Sequence, residues 1–171
     1  MHRRSALRPH LLAALGAALL LTSCSPAGAD DRRTTDGRAP HWEKGTGAPE
    51  AATFMKVAVP ESATEVKGAV QINPQEDIHL LSFVTDERTA VRIGEDLRSE
   101  EPLRTRNQAT PSSSELFGHL GLTEPGSEKG VRWAGVCPPC VGDNRRSKVQ
   151  WIEIHVVVLG ADRTRVYLQA F

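Results

Sequence analysis

The sequence contains few aromatic residues and few cysteines, and its charge is balanced. Aromatic side chains make up 5% of the 171 residues, and 21 basic residues stand against 21 acidic ones. This balance gives no electrostatic basis for binding nucleic acid. No apolar run reaches the ~18 residues of a transmembrane helix, and the sequence motifs of serine hydrolases, zinc peptidases, phosphate loops and calcium loops are absent. The three cysteines, Cys24, Cys137 and Cys140, are therefore the main chemical features.

The first 23 residues have the pattern of an export signal. Arg3, Arg4 and Arg8 precede an uncharged run from Leu11 to Leu21, and no acidic residue occurs before position 24. As a helix, this run is about 16 Å long, roughly half of the hydrocarbon thickness of a bilayer. The length and the positive flank are typical of a segment that directs export and is then removed.

Leu21-Thr22-Ser23-Cys24 resembles the lipobox of bacterial lipoproteins: an aliphatic residue and two small residues precede a cysteine. The resemblance covers residues 1–24. It implies that the sulfur of Cys24 accepts a diacylglycerol group, that a peptidase cleaves before Cys24, and that the protein stays bound to the membrane through this lipid. The implied location is the outer, extracytoplasmic face of the cell membrane. The alternative is an ordinary signal peptide in which Cys24 has no such role.

The remaining chain divides into a tether and one domain. Without residues 1–23, 18 basic and 21 acidic residues remain, a formal charge of −3. Residues 25–50 contain no Val, Ile, Leu, Phe or Met, so they lack the apolar side chains that an ordered core needs. We therefore expect a flexible linker over residues 24–51, with Trp42 as a solvated residue or a contact with membrane or partner, and a single domain over residues 52–171.

Hydrophobic periodicity predicts an α+β fold for this domain. The predicted strands are 53–59, 64–72, 78–84, 149–159 and 164–171. One helix is predicted over 86–98, and a second, short helix is predicted after the capping box Ser112-x-x-Glu115. Alternation places Val66 and Val158 on buried faces. The expected architecture is an antiparallel sheet of four to five strands with one or two helices packed on one face.

The domain also resembles, in outline, small secreted or lipoprotein domains of actinobacteria. The similar features are the opening Pro60-x-Ser62-Ala63, the step from strand to helix after Phe83, and the closing Val-Tyr-Leu strand at 166–168. This resemblance implies no particular activity.

Cys137-Pro138-Pro139-Cys140 is the motif that could carry chemistry. In an exported protein the two thiols are expected to form a disulfide. The spacing also occurs in thioredoxin-like enzymes, but there an aromatic residue directly precedes the first cysteine and a helix follows. Here Trp133 lies four residues ahead and a turn follows. A structural disulfide is favoured, with a redox dithiol or a metal site as alternatives; a zinc site would need further ligands, and His119 and His155 have no diagnostic spacing.

The favoured function is a non-enzymatic binding module of the cell envelope, with another envelope protein, a wall component or a small molecule as partner. The alternative is a thiol–disulfide oxidoreductase that uses Cys137 and Cys140. No catalytic, cofactor-binding or metal-binding residue is assigned; a hydrolase would require His79 or His155 to meet acids in a cleft. Glu100-Glu101 and the basic cluster Arg145, Arg146 and Lys148 are expected to be solvated.

Overall fold

The computed structural model describes residues 39–105 and 115–171. In these residues, seven strands form one antiparallel sheet with two α-helices, so the fold class is α+β, as expected. The strands are β1 (His41–Trp42), β2 (Thr64–Ile72), β3 (Ile78–Thr85), β4 (Arg104–Thr105), β5 (Arg132–Val136), β6 (Ile152–Gly160) and β7 (Arg163–Ala170). The helices are α1 (Ala48–Met55) and α2 (Glu87–Asp96). The spatial order of the strands is β1-β2-β3-β7-β6-β5-β4.

Two hairpins form the centre of the sheet. In the β2–β3 hairpin Ala69 lies opposite Leu80, and in the β6–β7 hairpin Ile154 lies opposite Leu168. Strand β3 then pairs with β7, with Leu81 opposite Leu168. Both hairpins were predicted from alternating apolar residues separated by turn residues, and both are confirmed. The sheet has seven strands instead of the expected four to five, because it also contains β5 and the two-residue edge strands β1 and β4.

The main core lies between the sheet and the two helices. Helix α1 packs on β2 and β3, and α2 packs on β6 and β7. The fully buried side chains of this core include Met55, Leu81, Phe83, Leu97, Ile152, Ile154, Val166 and Leu168. Helix α2 begins as predicted, because the carboxylate of Asp86 accepts a hydrogen bond from the Thr89 N–H at 2.9 Å and satisfies a free amide of the first turn.

The opposite face of the sheet is covered by residues 115–131. Leu80, Val157 and Tyr167 of the sheet pack there against Leu116, Phe117 and Val131. The helix in residues 115–131 is shorter than expected. A helix of two turns was predicted after Ser112, and the structure has a single 3-10 turn from Phe117 to Leu120. Ser112 itself lies outside the described residues. The turn ends at Gly121 in the left-handed conformation, as the sequence pattern predicted.

The strand predicted over 53–59 is wrong: residues 53–55 are the last residues of helix α1, and residues 56–59 are not part of any strand. The backbone N–H of Gly47 donates to the Glu50 carboxylate at 2.7 Å, and Pro49 occupies the first turn, where its missing N–H costs nothing. Ala51 and Met55, four residues apart, are both fully buried. The helix therefore begins upstream of the alternating residues from which the strand was inferred.

The linker predicted over residues 24–51 is too long. From His41 onward the chain belongs to the domain, since β1 pairs with β2 and the ring of Trp42 stacks on that of His119 with 3.9 Å between centroids. Residues 24–38 of the expected linker, including Cys24, and the expected signal segment lie outside the described residues.

Two apolar residues expected inside lie on the surface. Val66 is 43% exposed and Val158 is 57% exposed. The register of β2 against β3 shifts between Thr64 and Lys67, where Glu65 has a left-handed backbone with φ of 51°. A bulge of this kind interrupts the alternation of faces. Val158 lies beside a second register shift, at the end of the β6–β7 hairpin.

Candidate functional site: the groove beside the disulfide

The two cysteines of the C-P-P-C motif lie in a turn directly after β5. Their Cα atoms are 5.2 Å apart and their sulfur atoms are joined, so the predicted pair is present. The Cys140 N–H donates to the Cys137 sulfur at 3.3 Å, and the Val141 N–H donates to the Cys137 carbonyl at 3.1 Å. This turn is not the first turn of a helix, which separates it from a thioredoxin-like site.

The turn of residues 143–146, which follows the disulfide, is held in place by Arg146, which is 1% exposed. Its guanidinium donates to the carbonyls of Met55 and Lys56 at the end of α1, at 2.8 and 3.0 Å, and to the carbonyl of Asp96 at the end of α2, at 3.0 Å. It also donates to the carboxylates of Asp143, at 2.6 Å, and of Asp96, at 2.5 Å. Arg146 is therefore a structural residue that joins the turn to both helices.

The acids that face Arg146 stay ionised. Hydrogen bonds from Arg145 and Arg146 lower the pKa of Asp143 well below its usual range, against the opposing effect of burial. Burial raises the pKa of Asp96, but the hydrogen bonds from Arg146 and Arg145 outweigh it and leave that pKa lowered. The prediction of a solvated turn is therefore wrong for Arg146, which is buried in this network, whereas Arg145 takes part in the network from the surface.

A groove of about 360 Å³ lies between the loop that follows α2 and the strand that leads into the disulfide. This volume is within the range of ligand pockets, ~300–1,000 Å³. One wall is the run of consecutive residues from Trp133 to Cys137, and the other is the loop from Ser99 to Arg104. Cys140, Val141 and Trp151 close the end of the groove.

Gly135 allows Trp151 to form part of this wall. A Cβ atom added to Gly135 would overlap the indole ring of Trp151, with the ring carbon Cζ2 as its nearest neighbour. The ring therefore lies directly on the backbone of β5. With Trp133, it gives the groove two aromatic walls, which provide a large apolar contact area at a small cost in side-chain entropy.

The rim of the groove is polar and mostly acidic. Glu100 and Glu101 are exposed, and Arg104 forms an ion pair with Glu101 at 2.5 Å. The Ser99 hydroxyl donates to the Gly135 carbonyl at 3.4 Å, a long hydrogen bond that crosses from one wall to the other. The rim thus carries two negative charges and one positive charge.

The groove has an apolar lining with a few ionisable groups. The ionisable side chains among its lining residues are the carboxylates of Glu100 and Glu101 and the guanidinium of Arg104. In residues 39–105 and 115–171, no group of three His, Cys, Asp or Glu side chains is arranged to hold a metal ion. An apolar groove with a few charged groups at its rim is the usual construction of a ligand pocket.

The histidines considered from the sequence lie elsewhere. The ring of His79 stacks on Phe54 of α1, with 3.7 Å between centroids. Burial lowers the pKa of His79, and the charges of Asp77 and Glu43 offset only part of this effect. His155 is buried on the face of the sheet covered by residues 115–131. Neither histidine lines the groove beside the disulfide.

Sequence reasoning missed most of the groove. Residues 99–111 were interpreted as a polar loop, and β5 was interpreted as part of a longer loop. Gly135 was the available signal, because a glycine inside a strand often marks a close approach of another group.

None of the helices in the described parts of the chain is long and apolar enough to cross a membrane. Comparison with protein-family models, curated proteins and solved structures finds no match to this chain.

Proposed function

We propose that this protein is a lipid-anchored binding domain at the outer face of the cell membrane. The lipid on Cys24 would hold the chain at the membrane, and the groove between β5 and residues 99–104 would bind the ligand. The observation that carries the binding role is the groove itself, because it joins two tryptophan walls to a charged rim. The lipobox resemblance carries the anchoring role.

Two acyl chains would suffice as the anchor. Burial of an acyl chain contributes about 0.8 kcal/mol per CH₂ group, so two long chains contribute on the order of 20 kcal/mol. The prediction is that labelled palmitate enters the wild-type protein and does not enter Cys24→Ala. A Cys137→Ala/Cys140→Ala variant is the matched control and should still be labelled. Equal labelling of Cys24→Ala would rule out the anchor.

The binding role is tested by photo-crosslinking in intact cells. A p-benzoylphenylalanine at position 100, on the groove rim, should form an adduct with a component of the envelope. The same group at Glu61, an exposed acid before β2 and outside the groove lining, is the control and should form little adduct. If both positions give the same adducts, or neither gives any, the groove is not the binding site.

A second candidate function, thiol–disulfide exchange, is favoured by one observation. Cys140 is exposed beside the groove, and its N–H donates to the Cys137 sulfur, where it would stabilise a thiolate after reduction. Measurement of the reduction potential separates the two roles. A value below about −300 mV fits a structural disulfide, and a value of about −120 to −200 mV fits an oxidant or isomerase.

A further inference from the structure

We propose that the ligand of the groove is an extended peptide segment that carries a lysine or arginine side chain and adds a strand to the edge of β5. This inference rests on the proposed function, because it names the chemical class of ligand for the same groove. It depends on three features: an open strand edge, two aromatic walls and an acidic rim.

The edge of β5 is only partly covered. Strand β4 pairs with Arg132 and Trp133 alone. The other three residues of β5, from Ala134 to Val136, pair with β6 on one side and have no strand on the other within the described residues. Unpaired backbone groups at a strand edge are a template for another strand, and several peptide-binding domains use such an edge.

Residues 99–103 diverge from this edge, and Leu103 packs against α2. The side chain of Leu103 occupies the space above Gly94, where an added Cβ would lie 3.2 Å from the Leu103 Cδ1. The loop that precedes β4 therefore diverges from β5 and does not lengthen the β4–β5 pairing. The groove is the space that this divergence leaves beside the strand.

Gly135 directs its backbone groups into the groove. Its carbonyl faces the loop, since it accepts the long hydrogen bond from the Ser99 hydroxyl at 3.4 Å. In an antiparallel strand the N–H and C=O of one residue point to the same side, so the amide of Gly135 faces the groove as well. The amide can donate to the backbone of an added strand, and the carbonyl can accept a second hydrogen bond beside that from Ser99, because its oxygen has two lone pairs.

The walls and rim set the side chains that the peptide would carry. Alternate side chains of an added strand point to opposite faces of the sheet, and those on the face of Gly135 would contact the rings of Trp133 and Trp151. Glu100 is exposed and forms no ion pair with any described residue, whereas Glu101 is paired with Arg104. The negative charge of Glu100, which has no ion-pair partner among residues 39–105 and 115–171, favours a cationic side chain.

The test uses the full chain in detergent micelles and an array of acetylated, amidated heptapeptides. Each peptide has a central lysine or, in a matched set, a central glutamate, and the remaining positions are randomised. The lysine set should contain binders that the glutamate set lacks. Methylation of the one backbone nitrogen that pairs with the Gly135 carbonyl should weaken binding at least tenfold, and methylation of the two neighbouring nitrogens should change it little. One sensitive position between two insensitive ones is the signature of pairing at Gly135.

The variant Glu100→Gln should bind the same peptides about threefold to tenfold more weakly, as expected for an attractive charge at a rim, and Glu61→Gln should bind them unchanged. An absence of binders, or N-methylation that acts equally at all positions, would overturn the proposal. The crosslinking experiment identifies which claim has failed. Adducts at position 100 that resist proteases, without peptide binding, would leave the binding role intact and indicate a non-peptide ligand. An absence of adducts would remove the binding role as well.

Discussion

Replacement of Arg146 by methionine should be among the most destabilising single changes in the domain. Arg146 is fully buried, and its guanidinium donates to Asp143, whose side chain is 1% exposed, and to three carbonyls at the ends of both helices. Methionine fills much of the same volume but leaves the Asp143 carboxylate buried without its inner partner. Breaking a buried ion pair from one side costs about 3–5 kcal/mol. The free energy of unfolding of a typical domain is only ~5–15 kcal/mol.

Urea unfolding followed by tryptophan fluorescence measures this loss. Arg145→Met is the matched control, because Arg145 pairs with the same two acids but its side chain is 49% exposed. Its loss should be several-fold smaller, since exposed pairs contribute little. If Arg146→Met proves too unstable to purify, Asp143→Asn measures the same pair from the other side. Equal, small losses for Arg145→Met and Arg146→Met would show that the buried network does not stabilise the domain.

Three further predictions concern other contacts. Gly68→Ala should lower the stability by about 1–3 kcal/mol in urea unfolding, because its new Cβ would lie 2.5 Å from the Cα of Ala48 at the start of α1. Gly135→Ala should push Trp151 off the strand, shift its fluorescence to longer wavelength and reduce crosslinking from position 100. Burial lowers the pKa of His79 below its usual 6.5, so the unfolded chain binds more protons and stability should fall as the pH drops below about 6.5; His79→Phe should reduce this loss, measured as the urea midpoint at pH 5 and pH 7.5.

The hairpins were predictable because their information is local. In β2–β3 and β6–β7, alternating apolar residues flank short turns, and the register follows from this pattern. The first turn of α1 was harder to predict from the sequence, because a helix of only eight residues depends on its contact with the sheet. That contact requires Gly68, whose missing side chain makes room for Ala48. The sequence shows the glycine but does not show which segment approaches it.

The groove could not be predicted because its walls come from separate parts of the chain. Ser99 to Arg104, Trp133 to Cys137 and Trp151 meet only after β5 has paired with β6. Strand β5 has five residues, two of which are Ala134 and Gly135, so it has no clear alternation of its own. Arg146 was interpreted as solvated for a similar reason: its partners at Met55, Lys56 and Asp96 are 50 to 91 residues away in the sequence.

The proposed role as a lipid-anchored binding domain depends most on the attachment of lipid to Cys24, because this lipid would keep the domain at the membrane, close to ligands of the cell envelope. Mass spectrometry of the native protein extracted from membranes tests this attachment directly. We expect an amino-terminal peptide that begins at Cys24 and carries a diacylglycerol on its sulfur. An amino terminus with an unmodified Cys24, or protein found only in the culture fluid, would contradict the account.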